Sequence, residues 1–165
     1  MSNNRVKAVL EGHHVATPAL CIRGAAEAIE FYKKAFGAVE VSRFVGPGGH
    51  GVMHAEIKIG DSPIMMSDEF PNMGNKSPTT LGGTTGSIML YFEDVDAAFQ
   101  KAVAAGAKPE MPPADMFWGD RFAKITDPFG HSWSLATHIE DVSPEEMARR
   151  GQEFLCNMAK AHAPA

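Results

Sequence analysis

The chain repeats one pattern of secondary-structure signals at a fixed interval of 69 residues. A helix-forming segment ends in Gly-Ala at Gly37 and again at Gly106, which are 69 residues apart. The hairpin turn at Asp61 recurs at Gly130 with the same interval. Because self-similarity at a fixed period indicates a repeated structural unit, the sequence predicts two modules of the same design.

Each module is expected to contain a strand, a helix and about three further strands. Residues 15–22 and 86–92 are short apolar runs that predict the two opening strands. The segment 25–36 carries apolar side chains at helical spacing, and Asp94 is expected to cap the matching helix of the second module. The strands of the later hairpins are predicted at residues 52–60, 63–69, 118–126 and 131–138.

The modules and a final helix account for most of one expected domain, residues 1–165. The predicted parts are a first module at about 13–69, a linker at 70–85, a second module at about 86–140 and a helix at about 143–162. Ser143, Pro144 and Glu146 suit the start of that helix, because a hydroxyl cap, an N1 proline and a glutamate form a capping box. Its apolar stripe is expected to cover the domain's own core, with a dimer contact as the alternative. The stripe consists of Met147, Phe154, Leu155 and Met158.

Composition narrows the partners that we expect. The 165 residues include 44% hydrophobic ones, enough for one core, and no uninterrupted apolar run predicts a transmembrane helix. The net charge of −5 comes from interspersed residues, so neither nucleic acid nor a membrane is an expected partner. The expected partners are a small molecule and a second copy of the chain. Cys21 and Cys156 form no paired motif, and no apolar signal-type segment stands at the N-terminus, so a cytoplasmic protein is expected.

Three segments resemble the PhnB-like branch of the glyoxalase/bleomycin-resistance/dioxygenase superfamily, whose fold is called vicinal oxygen chelate. They are IEFYKKAFGA, VMHAEIKIGDSPIMMSDE and WGDRFAKITDPFGHSWSLATHIEDVSPEEM. The resemblance covers about residues 13–150. It implies an α+β fold in which two tandem βαβββ modules form a curled, mixed-sheet cup with the helices outside. It does not fix a reaction, because this fold serves isomerases, dioxygenases, thiol transferases and non-catalytic drug-binding proteins.

The resemblance also implies where a divalent metal would bind. Catalytic members place inward-facing His or Glu on the first and last strands of each module. The matching positions here are Thr17, Met66, Ser87 and Ser134. Hydroxyls bind such ions weakly and a thioether prefers soft Cu(I), so we predict that the usual metal site is absent and that no cofactor is required.

Polar residues elsewhere on the predicted cup face offer other chemistry. His54 and Glu56 alternate with apolar neighbours and are expected to face the cup, with Asp68 nearby. They are candidates for an acid–base pair or for a displaced divalent-metal site. The alternative is a hydrogen-bonded polar pair on a half-exposed sheet. Adjacent His13 and His14 point to opposite faces of a strand, so a chelating role is not expected.

The second module adds candidate ligand-binding side chains. Trp118 and Arg121 would suit a flat or anionic ligand, or Arg121 pairs with Asp120 or Asp127 and fixes a turn. The remaining residues expected to line the pocket are Met89 and Tyr91, beside Ser87, and His138, beside Ser134. Trp133 is expected in the core, and Cys21 is expected to be a small buried residue.

Three functions are therefore open. The first is a homodimeric protein that binds a small molecule in concave pockets without a divalent metal. The second is a metal-dependent lyase, isomerase or dioxygenase with a displaced site at His54, Glu56 or Asp68. The third is a metal-free enzyme in which His54 acts as the general base.

Overall fold

The structure is a computed structural model that describes residues 6–70 and 72–161. The outermost residues of the expected domain, the predicted helix end at residue 162 and Pro71 of the linker lie outside the described residues.

The strands form two separate four-stranded sheets with the same topology. Sheet one has the order β1-β4-β3-β2 and sheet two the order β5-β8-β7-β6. In both sheets the first strand of the module pairs in parallel with its last strand, while the other pairs are antiparallel. The strands are β1 (Ala19–Ile22), β2 (Val39–Val45), β3 (Val52–Ile59), β4 (Ser62–Asp68), β5 (Ser87–Tyr91), β6 (Lys108–Asp115), β7 (Asp120–Thr126) and β8 (Ser132–His138). The predicted α+β architecture of two βαβββ modules is confirmed, and the sheets do not close into one barrel.

The structure contains the two predicted module helices and the predicted C-terminal helix, together with one short helix in the linker. They are α1 (Ala25–Phe36), α2 (Pro78–Leu81), α3 (Val95–Ala104) and α4 (Pro144–Ala161). Gly37 ends α1 in the left-handed region at φ 69°, which a residue with a side chain rarely adopts. The Asp94 carboxylate caps α3 by accepting a hydrogen bond from the Ala97 amide at 2.9 Å. Local sequence therefore defines the end of α1 and the start of α3.

One hydrophobic core joins the two modules. Helices α1 and α3 pack against each other, and each covers one face of its own sheet. The Tyr32 ring of the first module lies 5.2 Å from the Trp133 ring of the second, and both side chains are fully buried. Buried Asp127 accepts hydrogen bonds from the Tyr32 hydroxyl at 2.7 Å and from Trp133 Nε1 at 2.9 Å. The expected core position of Trp133 is confirmed.

Two segments differ from the prediction. The first strand begins only at Ala19, and the linker contains the short helix α2, because Pro78 stands at its first position and the Ser77 side chain caps it. Ser143 caps α4 as expected, with 3.3 Å between its Oγ and the Glu146 amide.

The apolar stripe of α4 does not cover the core. Phe154 packs on Phe117 with 5.4 Å between ring centres, and Leu155 remains 65% exposed. The expectation of a lid over the core is therefore wrong. A salt bridge of Arg150 to Glu140 connects the helix to the segment just after β8, whereas the pair of Arg150 with Glu146 lies within the helix. Among residues 6–70 and 72–161, no helix is long and apolar enough to cross a membrane.

Candidate ligand-binding site

A cavity of about 1100 Å³ lies on the face of sheet one that points away from the helices. The strand register aligns Ala19, Met65 and Glu56 across β1, β4 and β3. Because side chains alternate along a strand, the cavity-facing residues two positions further on are Cys21, Ser67 and His54. The floor therefore combines thioether, thiol, hydroxyl and imidazole groups, and Cys21 lines a cavity although it was expected to be an ordinary buried residue.

The segment after β4 forms the opposite wall of this cavity. Lys76, Leu81 and the Gly82-Gly83 pair contribute to it. Glu69 anchors the segment, because its carboxylate accepts hydrogen bonds from the Ser77 and Thr80 hydroxyls, both at 2.6 Å. These bonds lower the pKa of Glu69 to about 2. The predicted linker is thus a structured wall of the candidate site.

The His54–Glu56 pair expected from the sequence is not formed in the described structure. Glu56 instead lies 3.1 Å from His13 Nε2, and both of these side chains are largely buried. His54 is exposed and lines the cavity. The two candidates do share one face of β3, as the alternation predicts. His54 is consequently placed to meet a ligand, whereas Glu56 holds the segment before β1 against the sheet.

The Asp68 carboxylate forms hydrogen bonds with backbone amides and does not line the cavity. Its Oδ1 accepts hydrogen bonds from the Gly24 and Ala25 amides, each at 2.9 Å, and its Oδ2 accepts one from the Val52 amide at 2.7 Å. Gly24, the residue that precedes α1, has no side chain with which to cap the helix. Asp68 supplies that cap from β4, so its assignment to the ligand pocket is corrected.

The positions that correspond to the usual metal ligands hold side chains that bind divalent ions poorly. Thr17 lies before β1 and donates a hydrogen bond to the His14 carbonyl at 3.3 Å. Met66 is 2% exposed beside Ala55, so its side chain packs in the core, although the residue also borders the sheet-one cavity. Within the described ranges, no three His, Cys, Asp or Glu side chains come together as a metal-binding group.

Ser87 and Ser134 occupy the corresponding positions on sheet two. Their Oγ atoms are 3.0 Å apart on the face that points away from the helices. Neutral hydroxyls and a buried thioether are poor ligands for Zn²⁺, Mn²⁺ or Fe²⁺, so these residues do not fit the ion that the fold family uses.

The open face of sheet two carries a hydrogen-bonded cluster around Asp120. This carboxylate accepts from the Tyr91 hydroxyl at 3.3 Å and Trp118 Nε1 at 3.1 Å, and lies 2.8 Å from His138 Nδ1. The second imidazole nitrogen, Nε2, lies 3.0 Å from Asp141. The two carboxylates raise the pKa of His138. Met89 and Tyr91 extend along this face and remain partly exposed, so the structure brings together four predicted pocket residues: Met89, Tyr91, Trp118 and His138.

Arg121 lies on the opposite face of sheet two. Its guanidinium bonds to Asp96 of α3 at 2.9 Å and to Asp115 of β6 at 2.8 Å. Neither Asp120 nor Asp127 is its partner among these bonds. Arg121 lies on the same, helix-facing side of β7 as Ala123 and Ile125, which are both fully buried. The prediction that it lies in the pocket with Trp118 is therefore corrected.

Comparison with known proteins agrees with this architecture. The model of the Glyoxalase/Bleomycin resistance protein/Dioxygenase superfamily matches residues 13–135. The chain belongs to this superfamily. An uncharacterized protein of Mycobacterium bovis is 46% identical to it over 134 residues, which are 79% of this chain and 88% of the relative.

Solved structures of the superfamily share the fold. A gene product from Arabidopsis thaliana has a TM-score of 0.61 and 29% identity, covering 74% of this chain and 98% of the other. A PhnB protein from Bacillus cereus has a TM-score of 0.57 and 24% identity, covering 75% and 99%. The resemblance drawn from the sequence is thus confirmed at the level of family and fold.

Two further cavity residues are Met65, which the repeat indicates, and His131, which it does not. Counting back 69 residues from Ser134 leads to Met65, not Met66, so the repeat itself contains the correct register. His131 also lines the cavity, although it belongs to the second module. Its position could not be found from periodicity, because it depends on how the two modules pack.

Proposed function

We propose that this member of the superfamily binds a small organic molecule in the sheet-one cavity without the usual divalent metal. The observation that carries the proposal is the cavity itself, because about 1100 Å³ is ample for a drug-sized ligand. Its walls combine adaptable apolar groups such as Met65 and Leu81 with a few polar ones such as Ser67 and His54. That mixture suits an amphipathic compound with a ring or chain that packs on the methionine.

A homodimer is part of this proposal. The cup-facing side of sheet two is open in one chain, where Met89 is 39% and Tyr91 62% exposed. Phe44 and Val45 of β2 are also exposed. Apolar side chains in such numbers on open sheet faces favour association with a second copy. The free thiols of Cys21 and Cys156 suit a reducing compartment such as the cytoplasm.

The first test measures metal content and ligand-induced stabilisation in the same preparation. Protein purified without chelator is analysed for metals, then heated with Zn²⁺, Ni²⁺, Mn²⁺ or Fe²⁺ and with a panel of uncharged aromatic compounds. We expect no stoichiometric metal, and a rise in Tm only with members of the aromatic panel, because a ligand that binds the native state stabilises it.

A pair of variants locates the effect. Met65→Arg places a long charged side chain in the cavity and should abolish the ligand-induced rise in Tm. Met73→Arg is the matched control, because Met73 is 60% exposed and should retain the response. Equal responses of the two variants would contradict binding in this cavity.

The metal-dependent alternative makes a different prediction. A displaced site at His54 and Glu56 requires Glu56 to leave His13, which lies 3.1 Å away. A stoichiometric ion whose stabilising effect disappears in His54→Ala would replace the proposal with this alternative. Molecular mass in solution by light scattering tests the dimer separately, and a monomer at micromolar concentration would contradict it.

A further inference from the structure

The lining of the sheet-one cavity can carry positive charge but no negative charge. Lys76 and two histidines, His54 and His131, line it, whereas none of its lining residues in the described ranges is Asp or Glu. The whole chain has 20 acidic and 15 basic residues and a net charge of −5. The charge of the cavity is therefore opposite to that of the chain, which indicates a ligand with a negatively charged group.

Two of these three side chains are accessible to a bound molecule. Lys76 and His54 are both exposed, whereas His131 is 9% exposed and its Nε2 is buried. His54 lies on the floor of the cavity, in β3, and Lys76 lies on the opposite wall. Lys76 forms no salt bridge with any residue that the structure describes. Its ammonium group, which has three hydrogen-bond donors, is thus available to a ligand.

The acidic residues around the cavity already have partners in the protein. The Asp68 carboxylate accepts hydrogen bonds from three backbone amides. Glu69 accepts from two hydroxyls of the cavity wall and lies 4.0 Å from the Arg23 guanidinium. Glu56, which shares the open face of β3 with His54, lies 3.1 Å from His13. None of these three carboxylates lines the cavity, so none of them competes with a ligand for Lys76.

We propose that the cavity selects an amphipathic organic anion, such as an aryl carboxylate, whose charged group pairs with Lys76 while its apolar part packs on Met65 and Leu81. This inference rests on the proposed binding function and names the charge of the ligand. An uncharged compound of the same shape keeps the apolar contacts but lacks the ion pair, so it binds more weakly. A cation of that shape is repelled by Lys76.

The test uses three probes of nearly the same shape that differ in charge at pH 7. They are 2-naphthoate, which is negative, 2-naphthamide, which is neutral, and 2-naphthamidine, which is positive. Affinities are measured by calorimetry on the full chain at low salt. We expect 2-naphthoate to bind about fivefold more tightly than 2-naphthamide, the effect of one exposed ion pair, and 2-naphthamidine to bind most weakly. The net charge of the chain alone would give the reverse order.

Two lysine variants locate the selectivity. Lys76→Gln removes the charge from the cavity wall and should bind 2-naphthoate and 2-naphthamide equally. Lys34→Gln is the matched control, because Lys34 is also exposed but lies on α1, on the other side of sheet one. This control should retain the preference for 2-naphthoate. The preference of the wild type should also decrease at high salt, which screens an exposed ion pair.

The two cysteines report where the probe binds. Labelling by N-ethylmaleimide is followed for each thiol by mass spectrometry. We expect 2-naphthoate to slow the labelling of Cys21, which lines the cavity, and to leave that of exposed Cys156 unchanged. This readout and the series of three probes both use the wild type, so they remain decisive if Lys76→Gln does not fold.

The possible failures are distinguishable. Equal affinity for the three probes, or tightest binding of 2-naphthamidine, would overturn the selectivity for anions, and protection of Cys21 by these probes would leave the binding function standing. An unchanged preference for 2-naphthoate in Lys76→Gln would overturn the role of Lys76. If no probe binds and Cys21 labels at the same rate throughout, both the inference and the proposed function fail for aromatic ligands of this size.

Discussion

The last strands of the two modules place different residues at equivalent positions. Asp68 and Glu69 at the end of β4 correspond, at the 69-residue interval, to Thr137 and His138 at the end of β8. Asp68 and Thr137 do the same work, because each accepts a hydrogen bond from the first amide of its module's helix. Glu69 and His138, by contrast, have different roles. Glu69 anchors the cavity wall, while His138 is bound between Asp120 and Asp141.

This difference shows which parts of a repeated module are constrained by the fold. A helix start needs an acceptor wherever the sheet meets it, so the role is retained even when the residue changes. The side chains on the open faces have no such requirement. In sheet two they satisfy one another around Asp120, whereas in sheet one His54 is exposed and lines the candidate site.

The largest expected effect concerns the two hairpin turns, which differ most between the modules. Asp127→Asn should lower the free energy of unfolding by about 2–4 kcal/mol, because its amide group cannot accept from the buried Tyr32 and Trp133 donors and the backbone amides together. The corresponding turn of the first module contains exposed Asp61. Asp61→Asn should change the free energy of unfolding by less than about 0.5 kcal/mol.

Urea denaturation followed by tryptophan fluorescence measures both turn variants. A similar loss in the two would mean that Asp127 does not connect the modules, and the comparison of the turns would fail.

A smaller difference is expected between the two helix caps. Asp68→Ala should lower the free energy of unfolding by about 2–3 kcal/mol, because Gly24 cannot cap α1 and three backbone amides lose their acceptor. Thr137→Ala should cost about 1 kcal/mol, since α3 keeps its local cap from Asp94.

The urea midpoints of these two cap variants, at unchanged m-value, provide the measurement. An equal cost would show that local capping adds nothing at α3.

The smallest effect is a contrast in pH dependence between Glu69 and His138. The pKa of Glu69 is lowered to about 2, so its stabilising bonds are fully present above the ordinary value of 4.5 and disappear as the pH falls towards 2. The pKa of His138 is raised from 6.5, so its contribution is full below 6.5 and disappears as the pH rises through the raised value. Both effects are reduced by solvent at these positions.

We therefore expect Glu69→Gln to lower Tm at pH 7 and to match the wild type near pH 2. His138→Gln should lower Tm more at pH 5 than at pH 9. Thermal unfolding followed by circular dichroism across this range is the check, and parallel curves for the two variants would remove the distinction between these positions.

Local sequence sufficed for the main helices and for the repetition of the modules, but not for the start of β1 or for the short linker helix α2. Gly37 and Asp94 define helix ends through backbone conformation and capping, which act within a few residues. The alternation in β3 correctly assigned His54 and Glu56 to one face and Ala55 and Ile57 to the other. The superfamily followed from longer motifs. The register of β4 was misjudged by one residue at Met66, which reverses the face of a side chain on a strand.

The sequence by itself determined two modules and their helices, because these depend on residue type and spacing. Only the tertiary structure decided which polar groups meet. Asp68 turned out to cap α1, Arg121 to bind Asp96 behind the sheet, and His131 to reach the cavity of the other module. The physical reason is that a hydrogen bond needs its two atoms within about 3 Å, and sequence spacing does not specify distances between residues far apart in the chain.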